Sequence, residues 1–308
     1  MKEEIIDGIN YRLNEETKTA EVINKSDGYE GDIIIPATVV FDEYTYRVTG
    51  IGTEAFHECD SLTSIIIPDT VRSIGKDAFW ECTSLTSVVI PNGVTSIEEG
   101  AFRCCEKLTD ITIPESVRSI GRCAFVCCMS LTSITIPEGV KSIGIGTFNS
   151  CSSLTSIIIP DTVTSIGEEA FCACEKLTDI TIPEGVKCIR PRTFESCYSL
   201  RAITIPNSVT SIEESAFGDC ESLKAIAIPD SVMIIEKEAF VSCKSLKIIS
   251  IPSSAMIIEN GAFADCNSWR VIRYGGTVKQ CERRFRYWDQ CFHSEIVYCT
   301  DGDTQIHW

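Results

Sequence analysis

The side chains that could do covalent or metal chemistry are three histidines, His57, His293 and His307, and eighteen cysteines. A thiol beside an imidazole is the usual start of a nucleophilic pair, which brings His57 and Cys59 forward first. No orienting third group accompanies them, and Cys59 belongs to a regular series of cysteines that reads as core. Neither H-E-x-x-H nor G-x-S-x-G nor a phosphate-cradling glycine loop occurs. Gly144-Ile145-Gly146 imitates a nucleotide turn, but Gly144 shares a repeating column with Gly75, Gly121 and Gly167 and is read as structural. Soft-ligand chemistry has one candidate: Cys281, Cys291, His293 and Cys299 fall within 19 residues. They could hold zinc or be ordinary buried cysteines, and no C-x-x-C pair tips the choice toward metal. The expectation is a chain without catalysis and without a cofactor.

Composition bounds the partners. Apolar residues are 44% and charged residues 23% of 308, enough to form a core. With 27 Lys+Arg against 44 Asp+Glu, the formal charge of −17 repels phosphate backbones, so nucleic acid is not an expected ligand. Pro, Ser, Thr or a charge interrupts every apolar stretch before the roughly 18 residues of a membrane helix, so no membrane insertion is expected. The start, MKEEIIDGINYRLN, has no apolar export segment, which as written places the chain in the cytoplasm with reduced thiols. Asn24-Lys25-Ser26 is a glycosylation sequon, relevant only to an exported chain.

What positions all these residues is a period of 23. Phe recurs ten times without a slip from Phe56 to Phe263, and each Phe is followed three residues later by Cys, from Cys59 to Cys266. Pro repeats from Pro68 to Pro252 and Leu from Leu62 to Leu246, with Trp269 in the next Leu position. Nine complete copies run from Leu62 to Ser268. Each opens with Ile-x-Ile, the alternation of a half-buried strand, as at Ile65 and Ile67. Pro68 ends that strand, because it lacks an N–H and fixes φ. A second apolar pair, Val71 and Ile74, precedes an Ala78-Phe79 segment that is expected to form one helical turn. One such unit cannot bury both its edges, so copies must stack at about 4.8 Å around a shared core. Phe171→Ala, in a middle coil, should therefore cost on the order of 3–5 kcal/mol.

The unit L-x-x-I-x-I-P-x-x-V-x-x-I-x-x-x-A-F-x-x-C resembles that of the BspA-like leucine-rich repeat family, over about residues 33 to 274. The resemblance implies a leucine-rich repeat solenoid, mainly β, a curved right-handed stack of coils with a parallel concave sheet, short helical turns and terminal caps. It also implies protein binding or surface adhesion, and a cell-surface or secreted location against the cytoplasmic one. Under this organisation residues 1–32 form an N-terminal β-hairpin cap, 33–61 a divergent first coil with a hairpin insertion, 62–268 the nine repeats and 269–308 a C-terminal cap.

Only the variable columns are then free to meet other molecules. Just after the leading Leu, six Thr from Thr63 to Thr178 give way to Arg201, Lys224, Lys247 and Arg270, and Arg273 joins them from the outward strand column. Ala225 and Ile248 run alongside. One reading makes this row a contact for an acidic protein; the other lets long stems cover the small apolar residues while their heads stay solvated. The function expected is a non-enzymatic, monomeric protein-binding scaffold, with a surface adhesin or a self-associating structural protein as alternatives.

Overall fold

A computed structural model describes residues 1–268, 271–284 and 296–305, nearly all in β-strands and turns. Its contacts divide the chain into two compact units, Met1–Thr162 and Val163–Trp308. Each is built of the same coil.

In the first unit the Ile-x-Ile segments are strands in parallel register: Ser64, Ser87 and Asp110 lie opposite one another, as do Ile65, Val88 and Ile111. Alternation does the rest, turning Ile65 inward and Ile66 out to solvent. The second apolar pair makes a further parallel ladder of two-residue strands, Ser73–Ile74, Ser96–Ile97 and Ser119–Ile120. Every coil thus contributes one strand to each of two ladders, and the core lies between them.

The Ala78-Phe79 segment is a turn rather than the expected helical turn. Ala78 N–H reaches Gly75 O at 3.2 Å, but Phe79 N–H crosses to Ala101 O of the next coil at 2.8 Å. Two residues per coil, such as Asp77 at φ 50° and Glu81 at φ 58°, take the left-handed conformation, which stops a helix from propagating. The only α-helix among the described residues is Val278–Arg284, after the last coil.

The Phe column stands inside these turns with every ring fully buried. In the first unit successive rings from Phe56 to Phe148 stack with centroids 5.0–5.5 Å apart and nearly parallel. In the second, Phe171 to Phe263 do the same at 5.1–5.6 Å. Gly75 and Gly121 let the coils close: a Cβ on Gly121 would run into the backbone of Glu98 and Glu99. At Gly144 a Cβ would come within 3.1 Å of the Arg122 backbone, so a packing reason for this glycine is present as well.

The N-terminal segment is a three-stranded antiparallel meander, Lys2–Ile6, Ile9–Asn14 and Thr19–Val22, one strand more than the expected hairpin. Thr19–Val22 pairs in parallel with Tyr44–Ile51 and so adds to the end of the short-strand ladder. Thr38–Phe41 and Tyr44–Ile51 form the insertion hairpin. In the second unit the long-strand sheet runs Ala225–Ala227, Ile248–Ile251 and Val271–Tyr274 in parallel, then Ile296–Cys299 and the antiparallel Gly302–Gln305. No helix of the described residues is long and apolar enough to cross a membrane.

Candidate functional site

Of the basic row, Arg201, Lys224 and Lys247 each stand one residue before a long strand of the second unit, and Arg273 lies on the outward face of Val271–Tyr274. Backbone bonds stack its members coil on coil: Lys224 N–H reaches Arg201 O at 3.4 Å and Lys247 N–H reaches Lys224 O at 2.9 Å. Alongside, Ala225, Ile248 and Val271 stand in register, and Ser250 faces Arg273 one step further along the strands. Arg201, Lys224, Lys247 and Arg273 are exposed, and none makes an ion pair with a described residue. Arg270 lies outside the described residues. Other bases of the same unit differ: Lys244 meets Glu221 at 2.6 Å, Arg190 meets Glu213 at 3.6 Å and Arg192 meets Glu169 at 3.5 Å. Asp179, opposite Ala202, is the one carboxylate on the parallel coil strands Asp179–Thr181, Ala202–Thr204, Ala225–Ala227, Ile248–Ile251 and Val271–Tyr274, while Asp303 lies in register with Tyr298 on the strand that ends the sheet.

The Thr column that precedes the row has a structural use in the first unit. Thr109 Oγ1 donates to Thr86 O at 3.3 Å and Thr155 Oγ1 to Thr132 O at 3.0 Å, so these hydroxyls bridge neighbouring coils. Arg and Lys cannot accept that role, because their polar heads sit several bonds further out. From Arg201 onward the coils therefore forgo a bridging hydroxyl and present charge instead.

The same face in the first unit is less polar than its Ser and Thr suggest. Ile34, Ile66 and Val89 are in register and 68%, 57% and 72% exposed. Asp32 sits beside them, accepting from Thr63 Oγ1 at 2.8 Å and Ser64 Oγ at 2.6 Å, and these bonds hold its carboxyl below the ordinary range.

No constellation for catalysis assembles among the described residues. His57 is not a free surface imidazole: its ring stacks on Trp80 at 4.5 Å, with the Arg103 guanidinium 5.4 Å from the other aromatic's centroid. Cys59 donates instead to His57 O at 3.7 Å and is buried, which pushes its thiol up. A hollow near the N-terminal meander has Glu3 and Glu4 in its wall, but Arg12 pairs with the first at 3.1 Å and Lys2 with the second at 2.9 Å. Neither carboxylate has a nucleophile beside it in the lining.

The cysteine series has a role that spacing alone does not disclose. Cys59 aside, the series donates to the carbonyl of the Phe one coil back at eight places from Cys82 to Cys266, with Cys105 to Phe79 O at 3.1 Å and Cys128 to Phe102 O at 3.2 Å as examples. Serving that carbonyl in a fully buried site is what a small, weakly polar donor does well. Burial pushes the thiols of Cys105, Cys151 and Cys197 up, and that of Cys128 well above the ordinary value. Of the zinc candidates, Cys281 is buried in the helix Val278–Arg284 and adjoins Cys299. Cys291 and His293 lie outside the described residues, and no group of three or more metal-ligating side chains forms among the others.

Two parallel ladders per coil, a buried Phe stack and almost no helix define a leucine-rich repeat protein. A family model described as a BspA type Leucine rich repeat region (6 copies) matches residues 49–175 and 141–270, and the chain belongs to that family. Among solved structures, a leucine-rich repeat protein from Bacteroides ovatus is similar at 31% identity, over 96% of this chain and 76% of that one, with a TM-score of 0.82. A leucine rich cell surface protein from Faecalibacterium prausnitzii is 29% identical over 92% of this chain and 97% of that one, at a TM-score of 0.54. A leucine-rich repeat protein of T. pallidum is 27% identical over 72% of this chain and 91% of that one, at 0.50. No curated protein matches the chain.

Proposed function

We propose that this repeat scaffold is a non-catalytic binding protein whose second unit grips an acidic protein surface. The contact is made by Arg201, Lys224, Lys247 and Arg273, continued in the sequence by Arg270, with Ala225 and Ile248 as its apolar strip. One observation carries this reading: four exposed bases, unpaired among the described residues, stand beside a stacked apolar row in a chain of formal charge −17. Like charges held one coil apart repel by about 1 kcal/mol per pair even in water, less after screening, and an acidic partner removes that cost. Neighbouring Ala225 and Ile248 give the contact an apolar centre ringed by charge, the usual anatomy of a protein interface.

A surface or secreted location is the second part of the proposal. It rests on family membership and on the F. prausnitzii neighbour, which is a cell surface protein. Binding of this kind needs no self-association, and light scattering should give a monomer.

The test is capture of the partner by the immobilised full chain against the double variant Lys224→Glu, Lys247→Glu. Recovery should fall roughly tenfold or more, and wild-type capture should weaken with salt. Both positions are exposed, so thermal stability should not move. Unchanged recovery by the variant would remove the row from the interface.

A further inference from the structure

Two cysteines stand apart from the buried series. Cys104 and Cys127 are one period apart, each just before a ladder cysteine, and both are half-buried rather than sealed. They occupy the same left-handed turn position, at φ 57° and 58°. Cys104 N–H donates to Val126 O at 2.7 Å, which clamps the two turns together, and the Phe102 and Phe125 rings two residues earlier stack 5.5 Å apart. Neighbouring coils stacked at about 4.8 Å bring equivalent Cα atoms within the roughly 4.4–6.8 Å that a disulfide spans. Burial, and then the neighbouring Cys127, push the Cys104 thiol up, while Arg103 pulls it back down. Cys105 and Cys128, one residue along, cannot do the same: they are fully buried and aim at the carbonyls of Phe79 and Phe102.

We propose that Cys104 and Cys127 are a dithiol site that reacts with low-molecular-weight disulfides and closes into a bridge between successive coils. In the first step one thiolate attacks a disulfide RSSR, forming a mixed disulfide and releasing RS⁻. In the second the neighbouring thiolate attacks the protein sulfur of that adduct, forming the Cys104–Cys127 bond and releasing a second RS⁻. Both protein thiols are oxidised and one RSSR is reduced to two thiols, their protons passing to solvent. Arg103, stacked over Trp80, places a positive charge near Cys104 that partly offsets the upward push of burial on its thiol. The bridge staples two turns that are otherwise held only by backbone hydrogen bonds and packing.

Oxidised glutathione added to the reduced full chain is the probe. The expected product is lighter by two hydrogens, loses two titratable thiols, and gives a non-reduced peptide joining Cys104 to Cys127. Cys104→Ser and Cys127→Ser should each stop at a glutathione adduct on the remaining cysteine. Both variants should fold, because Ser150, Ser196 and Ser242 already fill this turn position at φ 55–60°. Separate stable adducts on both cysteines of the wild type would overturn the proposal. So would a first bridge between Cys281 and Cys299 with this pair still reduced, or no reaction at either thiol.

Discussion

Phe102→Ala should destabilise the chain by about 3–5 kcal/mol, read as a shift in the urea midpoint at constant slope. Phe102 has no exposed surface and stacks between Phe79 at 5.1 Å and Phe125 at 5.5 Å. Its removal takes away the transfer energy of a whole ring and the two edges of the stack it completes. The backbone around the ring cannot fall inward to close the hole. Phe102 N–H is tied to Ala124 O at 2.8 Å and Phe79 N–H to Ala101 O at 2.8 Å, so the coil spacing is held by bonds that survive the substitution. The cavity term should therefore stand near its full size. A loss under about 1 kcal/mol would mean that the ring is not load sharing with its neighbours.

Cys128→Asp should cost as much, and with a pH signature that Phe102→Ala lacks. The thiol of Cys128 is fully buried and donates to Phe102 O at 3.2 Å. An ionised carboxylate there sets acceptor against acceptor in a fully buried site, a loss on the order of 3–5 kcal/mol near neutral pH. Burial must raise the new carboxyl above its unfolded value of about 3.9. The sign follows: the penalty is complete above the raised folded value and shrinks as pH falls toward the unfolded one, because the protonated acid can donate to Phe102 O. Denaturation of wild type and variant at about pH 7 and about pH 5 checks it, with the gap between them narrowing at the lower pH. Cys128→Ser, which keeps a donor, should lose a small part of that amount. A gap that widens on acidification would contradict the thiol's assignment as a buried donor.

These two side chains show how much of the fold the repeat made legible. Phe and Cys recur at one interval because a stack puts the same atoms above and below each coil, and a period with no insertions leaves little choice of architecture. The strand alternation at Ile65 and Ile67 was readable for the same reason. Other features fell below what a pattern can show. Ser73–Ile74 is two residues long, too short for any period, and it forms a ladder only through its equivalents in other coils. Lys2–Ile6 carries Lys and two Glu where a strand signal would be apolar, because as an edge strand it faces water. The turn at Ala78-Phe79 looked helical locally; left-handed residues such as Asp77 and hydrogen bonds to the next coil decided otherwise.

The candidate site divides along the same line. Its charges were visible as a change of column, Thr178 giving way to Arg201, and register turned them into a stacked row. What no column could reveal was pairing. Lys244 and Lys247 are alike in sequence, yet Lys244 finds Glu221 one coil back while Lys247 finds no carboxylate among the described residues. Nor could variety in the His57 column be told from freedom: His57, Trp80 and Arg103 differ in type because they stack on one another, not because nothing touches them.

Removal of a whole layer tests most directly the idea that successive 23-residue units are interchangeable layers around one interior. Deleting residues 86–108 joins Leu85 to Thr109, as Leu108 joins Thr109 in the intact chain, and takes out one 23-residue period. Deleting residues 86–107 removes one residue fewer and shifts every later inward position to the wrong phase at the junction. The first variant should unfold in a cooperative thermal transition with native-like circular dichroism, and the second should lose that cooperativity. Equal behaviour of the two deletions, whether both fold or neither does, would contradict the layered account.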